Sequence, residues 1–94
     1  MRFKKGDVVE LFKVFFNGTL MHPIGIKKDN LQGPTDYQHR LFRNFKEGDV
    51  GLIVSGPYYD YDCMMWELFI DNDFWFIDDI HIRLLNENDQ TKKI

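Results

Sequence analysis

Short apolar runs alternate with turn-forming residues between Phe45 and Ile77, and this alternation restricts the fold more than any other feature of the chain. The runs are rich in branched and aromatic side chains, whereas Gly, Pro, Asp and Asn fill the gaps between them. Short runs of this composition, bounded by turn residues, are typical of β-strands. We therefore predict three consecutive strands, at residues 50–55, 63–70 and 74–77.

A further strand is predicted before this stretch. A Gly-Asp pair stands at its start and a second Gly-Asp pair stands before residues 50–55. Glycine tolerates positive φ and aspartate bonds the backbone of a turn, so both pairs indicate a change of chain direction. The first strand then runs from residue 7 to residue 14, or on to residue 16. Its alternation breaks after Leu11, which indicates burial on both faces, a bulge or a strong bend.

The last part of the chain is predicted to form a hairpin, a turn and a short strand. Asp71-Asn72-Asp73 is read as the hairpin turn, because asparagine tolerates the left-handed conformation. Residues 78–81 are expected to form a single tight turn and residues 82–85 a short final strand. The polar segment 86–94 is expected to fray.

Residues 17–44 carry mixed signals. Asn17-Gly18 is a turn signal, and residues 24–26 have the composition of a short edge strand. Residues 35–43 could instead form one or two helical turns capped by Thr35. A loop of about 30 residues without structure is uncommon in a compact domain. This insertion is therefore expected to contain a short helix or a hairpin, or else to carry binding.

The size and composition of the chain predict one small cytoplasmic domain. The chain has 94 residues, of which 44% are apolar and 16% aromatic, enough for one core with aromatic side chains to spare. The net charge of −3 argues weakly against nucleic acid as a partner. A single cysteine excludes an internal disulfide, and we expect neither a membrane span nor a signal segment.

Two segments resemble the strand openings of KOW-type and related SH3-like small barrels. These segments run from Phe3 to Val9 and from Gly48 to Val54, and residues 74–85 look like the usual ending of such barrels. KOW-type barrels join their first two strands by a short link, whereas about 30 residues stand between them here. The pattern is also similar to that of short phage-encoded barrel proteins.

The resemblance implies an all-β fold, a single SH3-like small barrel of about five strands. The barrel would cover residues 1–85, with residues 17–44 as a long loop insertion between the first and second strands. Residues 86–94 would be a flexible C-terminal tail. The resemblance to KOW-type barrels implies nucleic-acid binding as an alternative function, and it does not extend to the proline-peptide groove of SH3 domains.

No cofactor, metal or catalytic site is predicted. The run 71–73 resembles the start of a calcium loop, but Trp75 and Phe76 occupy the positions that need an oxygen ligand and a glycine. The three histidines and Cys63 lack metal-ligand spacing. Cys63 is expected to be a packed thiol within its apolar strand. The paired aspartates after residue 59 are expected to be solvated, so we predict a protein that is not an enzyme.

A tyrosine-rich loop is the candidate protein-binding site. Three tyrosines in one loop exceed what a turn requires, and tyrosine combines apolar area with a polar tip, which suits recognition. The alternative is that one or two of them close the end of the barrel. The residues expected to bind a protein partner are Tyr58, Tyr59, Asp60 and Tyr61, with Tyr37 from the insertion.

Nucleic-acid binding and self-association are the other interpretations. Basic residues near aromatic ones suggest an RNA- or DNA-binding patch, although they read equally well as a solvated surface. A homo-oligomer would bury surplus aromatic area and the predicted edge strand at residues 24–26. The residues of the alternative nucleic-acid patch are Lys27, Lys28, Arg40, Arg43 and Lys46.

Overall fold

The computed structural model describes residues 2–27, 41–60 and 63–85, and within these ranges the chain is mainly β-structure. The all-β prediction is therefore confirmed at this level. The described strands are β1 (Val8–Leu11), β2 (Val14–Phe16), β3 (Thr19–Met21), β4 (Ile24–Lys27), β5 (Phe42–Asn44), β6 (Val50–Asp60), β7 (Cys63–Ile70), β8 (Asp73–Asp78) and β9 (Ile82–Leu84).

Seven of these strands form one antiparallel sheet in the order β5-β4-β8-β7-β6-β1-β9. Among the described residues its outer strands, β5 and β9, do not pair with each other, so the sheet is not closed into a barrel. The expected five-strand closed barrel is therefore not observed. The reason is that β4 pairs with β8 and β5 pairs with β4, so two strands of the insertion lengthen the sheet at that side.

Strand β6 is longer than the sequence predicted. The prediction ended the strand at Ser55 because Gly56-Pro57 is a strong turn signal. In the structure the strand continues to Asp60, and its register with β7 shifts on either side of Ser55. Gly56 lies at φ 135° against the Trp66 ring, where a Cβ atom would come within 2.8 Å of that ring. Glycine therefore permits an irregularity here that bends the strand without ending it.

The predicted first strand is divided in two. β1 ends at Leu11, and β2 leaves the main sheet to pair with β3 as a separate two-stranded hairpin. Asn17 and Gly18 connect these strands with positive φ angles of 50° and 78°, so the predicted turn is confirmed. The broken alternation after Leu11 marks the point where the chain leaves the core.

The insertion also contributes to the main sheet. Residues 24–26, expected as an edge strand, belong to β4, which lies between β8 and β5. The helical interpretation of residues 35–43 is wrong for its last two residues, because Phe42 and Arg43 belong to strand β5. Residues 35–40 lie outside the described part of the chain. In its described residues the insertion therefore includes a hairpin-type pairing of β4 with β5.

The core lies against one face of the seven-stranded sheet. Trp66 is only 2% exposed, and its ring meets the Phe3 ring edge-on with 5.4 Å between centroids. Phe45 packs on Trp75 in the same way at 5.6 Å. Each such buried side chain contributes roughly 1.5–3 kcal/mol to folding. The other members of the core cluster are Val9, Leu11, Ile53, Leu68, Ile70, Ile77 and Ile82.

A single 3-10 turn, Asp79–His81, links β8 to β9, as predicted. Asp78 caps it by accepting a hydrogen bond from the Ile80 backbone N–H at 3.1 Å. The turn places Asp79 and His81 in buried positions beside the core. The predicted tail, residues 86–94, lies outside the described residues.

Candidate functional site

The predicted tyrosine loop is the end of a strand. Tyr58 and Tyr59 belong to β6, opposite Met65 and Met64 of β7, and consecutive strand residues point to opposite faces. The two tyrosines therefore cannot form one binding surface, which corrects the expectation that they act together. Asp60 ends β6, where its backbone is paired with Cys63. Tyr61 and Tyr37 lie outside the described residues.

Tyr59 lies beside a cleft of about 240 Å³. Its side chain is 73% exposed, the largest exposed fraction among the described aromatic side chains together with that of Phe15. We call this feature the Tyr59 cleft. Its lining residues come from the N-terminal segment, β6, β7 and the 3-10 turn: Arg2, Tyr59, Met64, Trp66 and Asp79.

Asp79 provides the negative charge of the Tyr59 cleft. Its Oδ1 accepts a hydrogen bond from the indole Nε1 of Trp66 at 2.8 Å, and its Oδ2 lies 3.6 Å from Nη1 of Arg2. Arg2 also donates to the carbonyl oxygen of Ile82, and its guanidinium lies 4.6 Å from the centre of the Phe3 ring. A mostly buried carboxylate beside an exposed aromatic ring and a half-buried thioether can hold a cation whose apolar stem lies on the ring.

Tyr58 has a structural role on the other face of the sheet. Its ring meets Phe76 edge-on at 5.3 Å, and its hydroxyl lies 2.8 Å from the Ser55 hydroxyl. Ser55 in turn donates to Glu67 at 2.5 Å, so the Tyr58 hydroxyl donates to Ser55. Glu67 is 3% exposed, and these hydroxyls help to satisfy a carboxylate that would otherwise be costly to bury.

Two of the three described basic residues of the alternative patch form ion pairs with carboxylates. Lys27 Nζ lies 3.0 Å from Asp73, and Arg43 lies 2.6 Å from Asp71 while its guanidinium covers the Phe45 ring at 4.6 Å. Lys46 is exposed, in the turn before β6. Lys28 and Arg40 lie outside the described residues. Asp71 and Asp73, at the hairpin between β7 and β8, therefore form ion pairs with the basic residues of β5 and β4.

The Lys27–Asp73 contact predicts a measurable pH effect. The hydrogen bond from Lys27, followed by that from the Phe74 N–H, lowers the pKa of Asp73 below its ordinary value of 3.8. Because the folded-state pKa is the lower one, this stabilisation is fully present above pH 3.8 and is lost as the pH falls through the folded-state pKa. In a Lys27→Met variant we expect the pKa of Asp73 to rise toward 3.8, as followed by NMR of its carboxyl carbon. A Lys46→Met variant is the control, and an unchanged Asp73 titration in Lys27→Met would contradict the assignment.

Two predictions about reactive groups are corrected. Cys63 is exposed, although its apolar strand predicted a packed thiol, because it is the first residue of β7 and lies beyond the core. Asp79 is buried rather than solvated, because the 3-10 turn carries it against Trp66. Within residues 2–27, 41–60 and 63–85, no three His, Cys, Asp or Glu side chains come together as metal ligands.

Sequence reasoning found Tyr59 but missed the other residues of its cleft. Arg2, Trp66 and Asp79 come from distant parts of the chain, and the pairing of Tyr59 with Met64 across β6 and β7 brings Tyr59 beside them. One signal was available, because the alternation of strand 63–70 places Met64 and Trp66 on the same face. Using that signal requires the register between β6 and β7, and β6 was predicted to end at Ser55, before Tyr59.

No family model, curated protein or solved structure matches this chain. In the part of the chain that the structure describes, no helix has the length and apolar character to cross a bilayer. We therefore infer a function from the residues of this chain and their geometry.

Proposed function

We propose that this chain is a non-catalytic interaction module of SH3-like type, and that it binds a protein partner through the Tyr59 cleft. The observation that carries the proposal is the 73% exposed Tyr59 ring beside a concave surface that holds a mostly buried carboxylate. A large aromatic side chain left in water at such a place is typical of recognition surfaces. The hairpin between β7 and β8 and the single turn before β9 support the SH3-like type.

A basic segment of a partner protein fits the Tyr59 cleft best. Arg2 is 55% exposed in its side chain and lies 3.6 Å from the Asp79 carboxylate, which is the geometry of a weak ion pair. A lysine or arginine of the partner can compete for Asp79 while its stem lies on Tyr59 and Met64. Residues 49–94 hold three Lys/Arg and ten Asp/Glu, an excess of acidic charge that attracts a basic partner over longer distance.

Nucleic-acid binding, in the manner of KOW-type barrels, is the less favoured proposal. Lys27 and Arg43 already contact Asp73 and Asp71, so a phosphate would have to displace a carboxylate from each. The net charge of −3 adds a repulsive background. We therefore propose that the function of this chain is to bind a protein partner in the cytoplasm.

Capture of a partner should depend on Tyr59 and not on Tyr58. In an affinity capture from the lysate of the source organism, we expect the Tyr59→Ala bait to lose at least about 90% of the partner, since exposed aromatic anchors dominate binding energies. The Tyr58→Ala bait is the matched control, because it makes the same change one residue away on the opposite face. Circular dichroism establishes that both baits are folded. Equal capture by wild-type and Tyr59→Ala baits would rule out the cleft.

A further inference from the structure

The hairpin of β2 and β3 projects from the fold without a core of its own. We call residues 14–21 the arm. Phe15 is 73% exposed and Phe16 62% exposed, and Leu20 and Met21 are also exposed. Phe15 pairs with Leu20 across the hairpin, and both of these apolar side chains are exposed to water. It contains no charged residue.

The base of the arm is firmly held. The Phe12 N–H donates to the His81 carbonyl oxygen at 3.0 Å, and Nδ1 of His81 donates to the Phe12 carbonyl oxygen at 2.8 Å. On the other side Pro23 is fully buried, and its carbonyl oxygen accepts from the Phe45 N–H at 2.8 Å. These contacts hold both ends of the arm in place, so the fold keeps the arm exposed.

Such an arm needs a partner surface. A two-stranded hairpin alone in water is marginally stable, and three strands or a packed face are needed for independent stability. The described residues supply no third strand for β2 or β3, because these strands pair only with each other. Two mostly exposed phenylalanines add to the cost of leaving the arm in water.

A second uncovered apolar surface lies on the face of the main sheet opposite the core. Direct cross-strand pairs join Val8 to Leu52, Leu52 to Phe69 and Phe69 to Phe74, so four neighbouring strands contribute to one continuous row. The rings of Phe69 and Phe74 lie 5.1 Å apart. Each of these four side chains is more than one-third exposed, and Val50 extends the row beside Glu10. We call these five residues the row.

We propose that the arm of one copy of this chain packs on the row of a second copy, and that the reverse contact forms at the same time in a two-fold dimer. Because each copy carries both surfaces, two copies can form both contacts at the same time and close into a two-fold dimer. Consecutive strand residues point to opposite faces, so one face of the arm carries Phe15 and Leu20 and the other carries Phe16 and Met21. One face of the arm and the row together offer roughly 550 Å² of apolar surface per copy, against about 800 Å² per partner in a standard interface, so we expect a weak dimer. Neither surface alone reaches that area.

The electrostatics allow this contact. The arm buries no charge on docking, and the carboxylate of Glu10, directly opposite Val50 of the row, accepts a hydrogen bond from Arg83 at 2.7 Å. Tyr59 lies on the opposite face from Tyr58 and the row, so dimer formation and binding at the Tyr59 cleft are separate events.

Sedimentation velocity of the full chain tests the proposal at concentrations up to about 100 µM, because an interface smaller than the standard size is expected to have a dissociation constant in the micromolar range. We expect a dimer for the wild type. We expect the arm variant, Phe15→Ser with Phe16→Ser, and the row variant, Leu52→Lys, each to raise the dissociation constant at least about 100-fold. The control Ile80→Lys changes an apolar residue outside both surfaces that is 46% exposed, against 38% for Leu52, and should leave the dimer intact.

A mixing experiment distinguishes the arm-to-row contact from other dimers. The arm variant keeps an intact row, and the row variant keeps an intact arm. Adding unlabelled row variant to 15N-labelled arm variant should shift the amide signals of Val8, Leu52 and Phe69. A monomeric wild type, a dimeric arm variant, a dimeric row variant or a mixture without shifts would each overturn the proposal, and circular dichroism establishes that every variant is folded.

Discussion

Replacing Trp66 with alanine is expected to lower the free energy of unfolding by about 3–5 kcal/mol. Trp66 is 2% exposed, its ring packs edge-on against Phe3 at 5.4 Å, and it contacts the backbone irregularity at Gly56. Removing it leaves a large cavity in the core on one face of β6 and β7, and partial collapse cannot restore the lost contacts. For a small domain whose total stability is about 5–15 kcal/mol, this loss is severe.

Urea unfolding followed by far-UV circular dichroism measures this effect. The matched control is Tyr59→Ala, which also removes a large aromatic ring from the same cleft but one that is 73% exposed. We expect it to change stability by no more than about 0.5 kcal/mol, as for surface substitutions away from special features. A Trp66→Ala variant that is as stable as Tyr59→Ala would show that Trp66 is not part of the core.

Replacing Asp79 with alanine is expected to cost about 1–3 kcal/mol, because the buried indole N–H of Trp66 then loses its acceptor. Asp79→Asn keeps an oxygen within reach of that N–H and removes only the charge that faces Arg2. Since the Arg2 side chain is 55% exposed, the ion pair contributes at most about 1 kcal/mol. The alanine variant should therefore be clearly less stable than the asparagine variant in urea unfolding.

The same pair of variants separates stability from recognition. Asp79→Asn should remain folded and yet bind a basic partner more weakly, because the cleft has lost its negative charge. Equal stability of the two variants would contradict the role of Asp79 as the acceptor for Trp66. Undiminished partner binding by Asp79→Asn would contradict the basic character of the partner.

Local pattern was enough to place several strands. Residues 63–70 form an apolar run in which only Glu67 is strongly polar, and β7 has these bounds. Strand β6 was predicted too short because Gly56-Pro57 ends most strands, whereas here the packing of Gly56 against Trp66 carries the strand onward. The open sheet could not be predicted, because it depends on β4 pairing with β8 over some fifty residues of sequence.

The candidate site was predicted only in part, for a similar reason. Tyr59 could be identified from composition, since a tyrosine-rich segment is unusual at the surface. Its separation from Tyr58 follows from strand alternation, which became visible only once both were known to lie on β6. The contribution of Asp79 depends on a tertiary hydrogen bond to Trp66, and no local sequence pattern encodes that contact.

Affinity capture with and without nuclease is the most direct test of the proposed function. The wild-type and Tyr59→Ala chains are used as baits in the lysate of the source organism, and retained proteins are identified by mass spectrometry. The interaction module predicts a protein that remains bound after nuclease treatment and that the Tyr59→Ala bait does not retain. Capture that disappears with nuclease, or that is the same for both baits, would contradict the proposal and favour nucleic-acid binding or another surface.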